Sequence, residues 1–245
     1  MAESLLMTAR VALQSRNFWC VVGVNIFDAL SPEDLGELSH HAKTRAYKRG
    51  EVIYFAGDPN TTVYLLKKGR VKLVYLDEHG HKFTLAICRP GQPFGELVLS
   101  ERREPYRFIA QALEDSELCL IPKDDLVRFA QERPQLALRL TKWVGDQLRE
   151  LQIRLEDLLF KDVPTRLVRL LERLARDEGQ QTPGGIEIGL KLTHQEIAEL
   201  IGSTRETTTL LFNQLRRAGV LQRRRGRLII TDLQKLQTIT AQIHS

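Results

Sequence analysis

Between Thr193 and Leu215 the chain reads Thr-His-Gln-Glu-Ile-Ala-Glu-Leu-Ile-Gly-Ser-Thr-Arg-Glu-Thr-Thr-Thr-Leu-Leu-Phe-Asn-Gln-Leu. The chemistry in this stretch is hydrogen bonding rather than bond breaking. Arg205 can present a forked donor to O6 and N7 of guanine, and Glu206 can accept from N4 of cytosine. Thr209 lies one helical turn beyond Arg205 and completes a trio of candidate base readers. Thr193, Gln195, Ser203, Thr204 and Thr207 supply hydroxyl and amide groups suited to phosphate oxygens, contacts that position a protein without specifying sequence. A second basic cluster follows: Arg223, Arg224, Arg225 and Arg227 fall within Val220–Thr231, and the last three are candidate backbone contacts. No Ser/His/Asp set, metal-ligand spacing or phosphate-cradling Gly-Lys loop is found, so no catalytic or metal-binding residue is assigned.

These groups need two crossed helices and a hairpin to hold them. Thr193 and Glu196 have the spacing of a capping box, which starts one helix. Ile197, Ala198, Leu200 and Ile201 give it an apolar face, and Gly202 suits the sharp turn that follows. Ser203 or Thr204 can cap the second helix, which buries Leu211 and Leu215. The pattern is that of a helix-turn-helix, whose second helix enters the major groove; an ordinary helical hairpin is the bland alternative. After the Ala218-Gly219 turn, the Arg-rich stretch reads as a β-hairpin wing.

Upstream, Ser31-Pro-Glu-Asp starts a helix, with Ser31 as cap. From Ala46 to Pro122 short β-rich runs alternate with turns, and Gly57, Gly69, Gly80 and Gly91 recur every 11 or 12 residues. That spacing predicts a β-roll that turns a corner at each glycine. Pro134 opens a long helical stretch in which Leu140, Val144, Leu148, Leu151, Leu155 and Leu158 follow at steps of 4, 4, 3, 4 and 3. The later steps are heptad-like, so Val144, Leu148, Leu151, Leu155 and Leu158 are expected to form a dimer seam. A Leu- and Arg-rich helix runs from Pro164 to Glu178, after a hinge at Lys161–Pro164, and Ile186–Leu190 alternates like a strand. The fold class is α+β, in four parts: an N-terminal extension (1–25), a β-roll (26–132), a dimerisation helix (133–162) and a winged helix (163–245).

Charge supports the division. Residues 1–164 hold 23 basic and 23 acidic side chains, whereas 165–245 hold 13 against 8, so the whole net charge of +5 lies in the last third. A local basic excess is the electrostatic footprint of nucleic-acid binding. The longest apolar run, Phe18–Val24, is far short of the roughly 20 residues of a membrane span, and Arg10 and Arg16 break what would be a secretory signal. Cys20, Cys88 and Cys119 form no CxxC pair and read as three small apolar residues in a reducing compartment. A cytoplasmic protein that inserts in no membrane is expected.

The order of parts resembles the family of the cAMP receptor protein and the fumarate-nitrate regulator (the CRP/FNR family). The motifs that carry the resemblance are Gly69-Arg-Val, Phe94-Gly-Glu-Leu, Phe160-Lys-Asp-Val and Gln195-Glu-Ile-Ala…Ile201-Gly-Ser-Thr-Arg-Glu-Thr. It implies a jelly-roll sensor and sequence-specific transcriptional control. It also implies a homodimer on a palindromic site of double-stranded DNA, with RNA polymerase as a partner. The effector pocket it implies comprises Phe94, Gly95, Glu96, Leu97, Tyr106 and Arg107 of the roll with Gln147, Leu151 and Gln152 of the long helix. Gly95 permits a backbone bend whose N–H groups can face an anion, and Glu96 could hold ribose hydroxyls. No cofactor is required, and the implied effector is a small anion of open identity; a regulator controlled by its own abundance is the alternative.

Departures from the family narrow the effector. The cAMP-binding branch carries Arg-Ser where this chain has Tyr106-Arg107, and adjacent hydroxyl residues where it has Leu151-Gln152, which disfavours cAMP. Arg107-Phe resembles the 2-oxoglutarate-binding nitrogen regulators, although Gln147 and Gln152 stand where those carry charged partners. Phe83–Ile87 and Arg107–Ala112 are similar to the haem-containing carbon monoxide sensors, but Gly95 and Leu97 replace the ligands of the loop, so no haem is expected. The cysteine set of iron-sulfur sensors is absent, so no cluster is expected, and His79 and His81 read as surface residues. Leu210 replaces a second recognition-helix Arg, so the half-site should differ from that of the cAMP receptor.

Overall fold

Ser31 caps the first full helix as its sequence predicts, accepting from the Asp34 amide at 3.1 Å while Asp34 accepts in return from Ser31 N–H. In the computed structural model, residues 18–22, 24–28, 30–95 and 104–239 are described. They fall into two compact units that divide after Arg149.

In the first unit, a one-turn helix α1 (Phe18–Val21) and a 3₁₀ turn (Asn25–Phe27) precede α2 (Pro32–His41). Eight strands follow: β1 (Lys43–Tyr47), β2 (Val52–Tyr54), β3 (Thr62–Lys68), β4 (Val71–Leu76), β5 (Lys82–Cys88), β6 (Pro93–Phe94), β7 (Ile109–Ala112) and β8 (Ser116–Pro122). They form two antiparallel four-stranded sheets, ordered β1-β8-β3-β6 and β2-β7-β4-β5. The recurrent glycines do turn the corners, because Gly57, Gly69, Gly80 and Gly91 all have φ between 84° and 94°. Gly69 is also held by space: a Cβ there would lie 2.3 Å from Ser116 Oγ.

Two apolar clusters fill this unit. One is the roll's interior, with Tyr54, Tyr64, Phe94 and Tyr106 among its members. The other gathers α1, the 3₁₀ turn, α2 and one face of β3 and β8. It also takes in α3 (Lys123–Glu132) and Leu136 and Leu140 at the start of α4 (Pro134–Phe160). Arg133 ties this region to α2 through Asp34 and Glu37, each at 2.6 Å.

Here the cysteine reading is corrected. Cys20 and Cys119 are joined in a disulfide, with Cα atoms 5.5 Å apart and a separation of 99 positions in sequence. Spacing cannot reveal such a pair, because it depends on α1 docking onto β8, which is a tertiary event. Cys88 is the small buried thiol expected. Cys20, Val21 and Val24 therefore pack in the second cluster, against Val63, Leu65, Cys119 and Ile121 of β3 and β8.

Beyond Leu140, α4 runs on with Val144, Leu148, Leu151 and Leu155 between 45% and 55% exposed. Leu158 is half-buried.

The second unit begins within α4. Asp162 caps α5 (Val163–Glu178), accepting from Thr165 N–H at 2.9 Å. The apolar face of α5, with Leu167, Leu171 and Leu174, is buried. A four-stranded antiparallel sheet is ordered β11 (Leu221–Arg224), β12 (Arg227–Ile230), β10 (Gly185–Ile188), β9 (Gly179–Thr182). β9 is unannounced by its residues, Gly-Gln-Gln-Thr, and forms because the Pro183–Gly185 turn folds it back on β10. Helices α6 (His194–Ile201), α7 (Arg205–Arg217) and a short α8 (Leu233–Thr238) complete the unit. No helix among the described residues is long and apolar enough to cross a membrane.

Candidate nucleic-acid interface

Thr193 caps α6 by accepting from Glu196 N–H at 3.2 Å, and Glu196 accepts from Thr193 N–H at 2.7 Å, closing the box. Ile197, Ala198, Leu200 and Ile201 are buried. Gly202 ends the helix in the left-handed region at φ 61°, with its N–H returned to the Ala198 carbonyl. Of the two candidate caps for α7, Thr204 is the one used: its Oγ1 accepts from Thr207 N–H at 3.2 Å. Leu211, Phe212 and Leu215 then anchor α7, with Thr208 buried among them.

This packing leaves Arg205 and Glu206 exposed on the first turn of α7, their side chains without a hydrogen bond or ion pair to any described residue. Thr209 differs from them. Its hydroxyl donates to the Arg205 carbonyl at 2.8 Å and lies 2.9 Å from His194 Nδ1, so it is held within the protein. Thr193, Gln195, Thr204 and Thr207 are exposed around the same turn and Ser203 is half-exposed. The Gln195 amide donates to Glu199 at 3.2 Å.

The wing forms as expected. Arg225 and Gly226 turn the hairpin at φ 51° and 83°, the two left-handed residues that a tight hairpin loop requires. Arg224 and Arg225 are exposed at this tip and border a cleft of about 440 Å³ that Lys191, Glu187 and Arg227 also line. Arg227 is partly committed, donating to Glu187 at 2.8 Å, and Arg223 donates to the Leu192 carbonyl. Sequence reasoning passed over His194, Lys191, Arg216 and Arg217. The one signal for His194 was its place directly after the capping residue.

His194 rests on Phe212 with ring centroids 4.7 Å apart. Partial burial, then Arg223, Arg205 and Arg216, hold its pKa below the ordinary imidazole value.

In the roll, Tyr106 and Ala110 are buried, whereas Arg107, in the irregular stretch before β7, is exposed. The Tyr106 hydroxyl donates to the Thr62 carbonyl at 2.7 Å, and its ring stacks on Tyr54 at 3.9 Å. Tyr64 stacks on Phe94 at 5.2 Å, and burial pushes its phenol pKa upward. Gly95 has φ 105°, and a Cβ there would lie 3.0 Å from the Thr62 carbonyl oxygen. Phe94, Gly95 and Tyr106 are thus neighbours, whereas Glu96 and Leu97 lie outside the described residues. Gln147, Leu151 and Gln152 are exposed along α4. No cluster of three or more candidate metal ligands occurs among the described residues.

Comparison with known proteins matches residues 44–133 to the cyclic nucleotide-binding domain and residues 165–239 to the Crp-like helix-turn-helix domain. The global nitrogen regulator of Synechococcus elongatus is 36% identical over 198 residues, covering 80% of this chain and 89% of that protein. The CRP-like cAMP-activated global transcriptional regulator of Mycobacterium tuberculosis is 27% identical, covering 86% and 94%. Among solved structures, a mutant of CooA from Carboxydothermus hydrogenoformans superposes with a TM-score of 0.72 at 30% identity, covering 90% of this chain and 95% of that one.

Proposed function

Because the chain belongs to the CRP/FNR family of transcription regulators, we propose that it works as a homodimer whose two recognition helices read a palindromic DNA site under the control of a small-molecule effector. It is a DNA-binding regulator and not an enzyme. The observation that carries the finer reading is the first turn of α7, where Arg205 and Glu206 stand exposed with donors and acceptors unspent. Thr193, Gln195, Thr204 and Thr207 with Arg224 and Arg225 are its phosphate contacts, and the exposed stripe of α4 is its dimer seam. Such a dimer reads half-sites about one helical turn, roughly 34–36 Å, apart. Contact with RNA polymerase follows from the same reading, and binding chromosomal DNA places the protein in the cytoplasm.

For the effector, the stacked tyrosines favour something other than cAMP. Tyr106 offers a phenol already engaged with Thr62 in the place where a cyclic phosphate needs a cation. Thermal-shift titration with cAMP and with 2-oxoglutarate decides this: stabilisation by cAMP at micromolar concentration would overturn it.

The reading as a whole is tested by selecting sites from a random DNA pool with the purified dimer at one stated salt concentration. A two-fold symmetric site is expected for the wild type. Arg205→Glu should leave only sequence-blind, salt-sensitive binding; an unchanged consensus would sink the assignment of α7 as the reader.

A further inference from the structure

Thr209 has one hydroxyl proton, and it goes to the Arg205 carbonyl at 2.8 Å. Toward His194 the oxygen can therefore act only as an acceptor, across 2.9 Å to Nδ1. This fixes the tautomer of the neutral ring: the proton sits on Nδ1 and the lone pair on Nε2. Packing over Phe212 holds the ring plane. Three guanidinium groups press on it, Arg223 from β11 with Arg205 and Arg216 from α7. The carboxylates of its own helix are engaged elsewhere, Glu196 with Thr193 and Glu199 with Gln195.

Beside the ring is a cleft of about 120 Å³, lined by His194, Asn213, Arg216, Gln222 and Arg223 together with Phe212, Leu221 and Leu228. Its polar lining is made of cations and neutral amides, and no described carboxylate borders it. The positive charge of Arg216 and Arg223 is thus offset by no described carboxylate in this cleft.

We propose that His194 is a proton-linked clamp for a DNA phosphate: on binding, Nε2 gains a proton from solvent and keeps it, its N–H donating a hydrogen bond to a phosphate oxygen in this cleft, while Nδ1–H keeps its hold on the recognition helix through Thr209. The proposal rests on the DNA-binding reading above. Without DNA, partial burial and then the arginines disfavour the charged ring and hold its pKa below the ordinary imidazole value. A phosphate neutralises them and favours the charged ring, so the complex holds a proton that the free protein lacks. Affinity then rises as pH falls through the imidazole range and levels off at alkaline pH, where the ring is neutral in both states.

The test is fluorescence anisotropy with the full-length protein and its selected site at constant salt, from about pH 6 to about pH 8. His194→Asn is the informative variant, because its amide can donate to Thr209 but cannot gain a proton. The wild type should tighten about tenfold for each subunit from the alkaline to the acid end, within the limit of about tenfold per pH unit that one linked proton per subunit sets. His194→Asn should give a nearly flat profile and match the wild type at the alkaline end. Parallel profiles for the two proteins would overturn the clamp, as would a variant weakened equally at every pH, which marks a purely structural residue. If neither protein prefers its site at any pH, the DNA-binding reading fails and the clamp with it.

Discussion

At the scale of single residues, Arg205 and Thr209 lie one turn apart on α7 yet are held differently. Arg205 has its donors free, whereas the Thr209 hydroxyl is engaged by Arg205 carbonyl and His194. Arg205→Ala should therefore relax preference at one base position, at a cost of about 1–3 kcal/mol for the lost forked contact. Thr209→Val should weaken binding to all sequences alike and leave the consensus intact. Site selection with both variants separates the two, and a changed consensus for Thr209→Val would restore it as a base reader. The residue types were legible in the sequence, but the division of labour was not. A hydroxyl one turn beyond an arginine can face outward or inward, and here the imidazole of α6 decides the matter. Tyr106 and Arg107 carry the same lesson. One is buried and the other exposed, and a motif that names the pair leaves open which of them is inside.

Among the elements, those whose signals are local were readable. The Ser31 cap, the capping box at Thr193, the glycine corners of the roll and the Gly202 turn all depend on residues within a few positions of each other. β9 was hidden, because Gly-Gln-Gln-Thr has no strand character of its own and exists only as the partner of β10. The link between α1 and β8 was hidden for the same reason over a longer range. One turn of helix has little stability alone, so the Cys20–Cys119 bond and the shared core must hold it. A cross-link closing a loop of 99 residues removes about 4–5 kcal/mol of unfolded-chain entropy on the chain-entropy account. Cys20→Ser should lower the melting temperature of the first unit by roughly 10 °C relative to oxidised wild type, and Cys88→Ser should not. Equal melting of oxidised wild type and Cys20→Ser in calorimetry would show that the core alone suffices.

For the molecule as a whole, the heptad-like stripe was legible because it is periodic. On the proposed reading it packs against a second copy of the chain. Val144, Leu148, Leu151 and Leu155 stay about half exposed along α4, an apolar strip that a lone soluble helix would not keep. Leu148→Glu with Leu155→Glu should give a monomer in analytical ultracentrifugation, with each unit still folded by circular dichroism. Its affinity for the full palindrome should fall by roughly 10²–10⁴, the gain that linking two readers supplies. A dimer that survives both charges would move the interface elsewhere.

The stripe on α4 and the reader on α7 occupy separate stretches of the chain, so one can be ruined while the other stays sound. A copy blinded at Arg205 would still find partners. Expressed beside intact copies, it would draw them into mixed pairs that hold half a palindrome, and a single defective allele would silence the product of a good one.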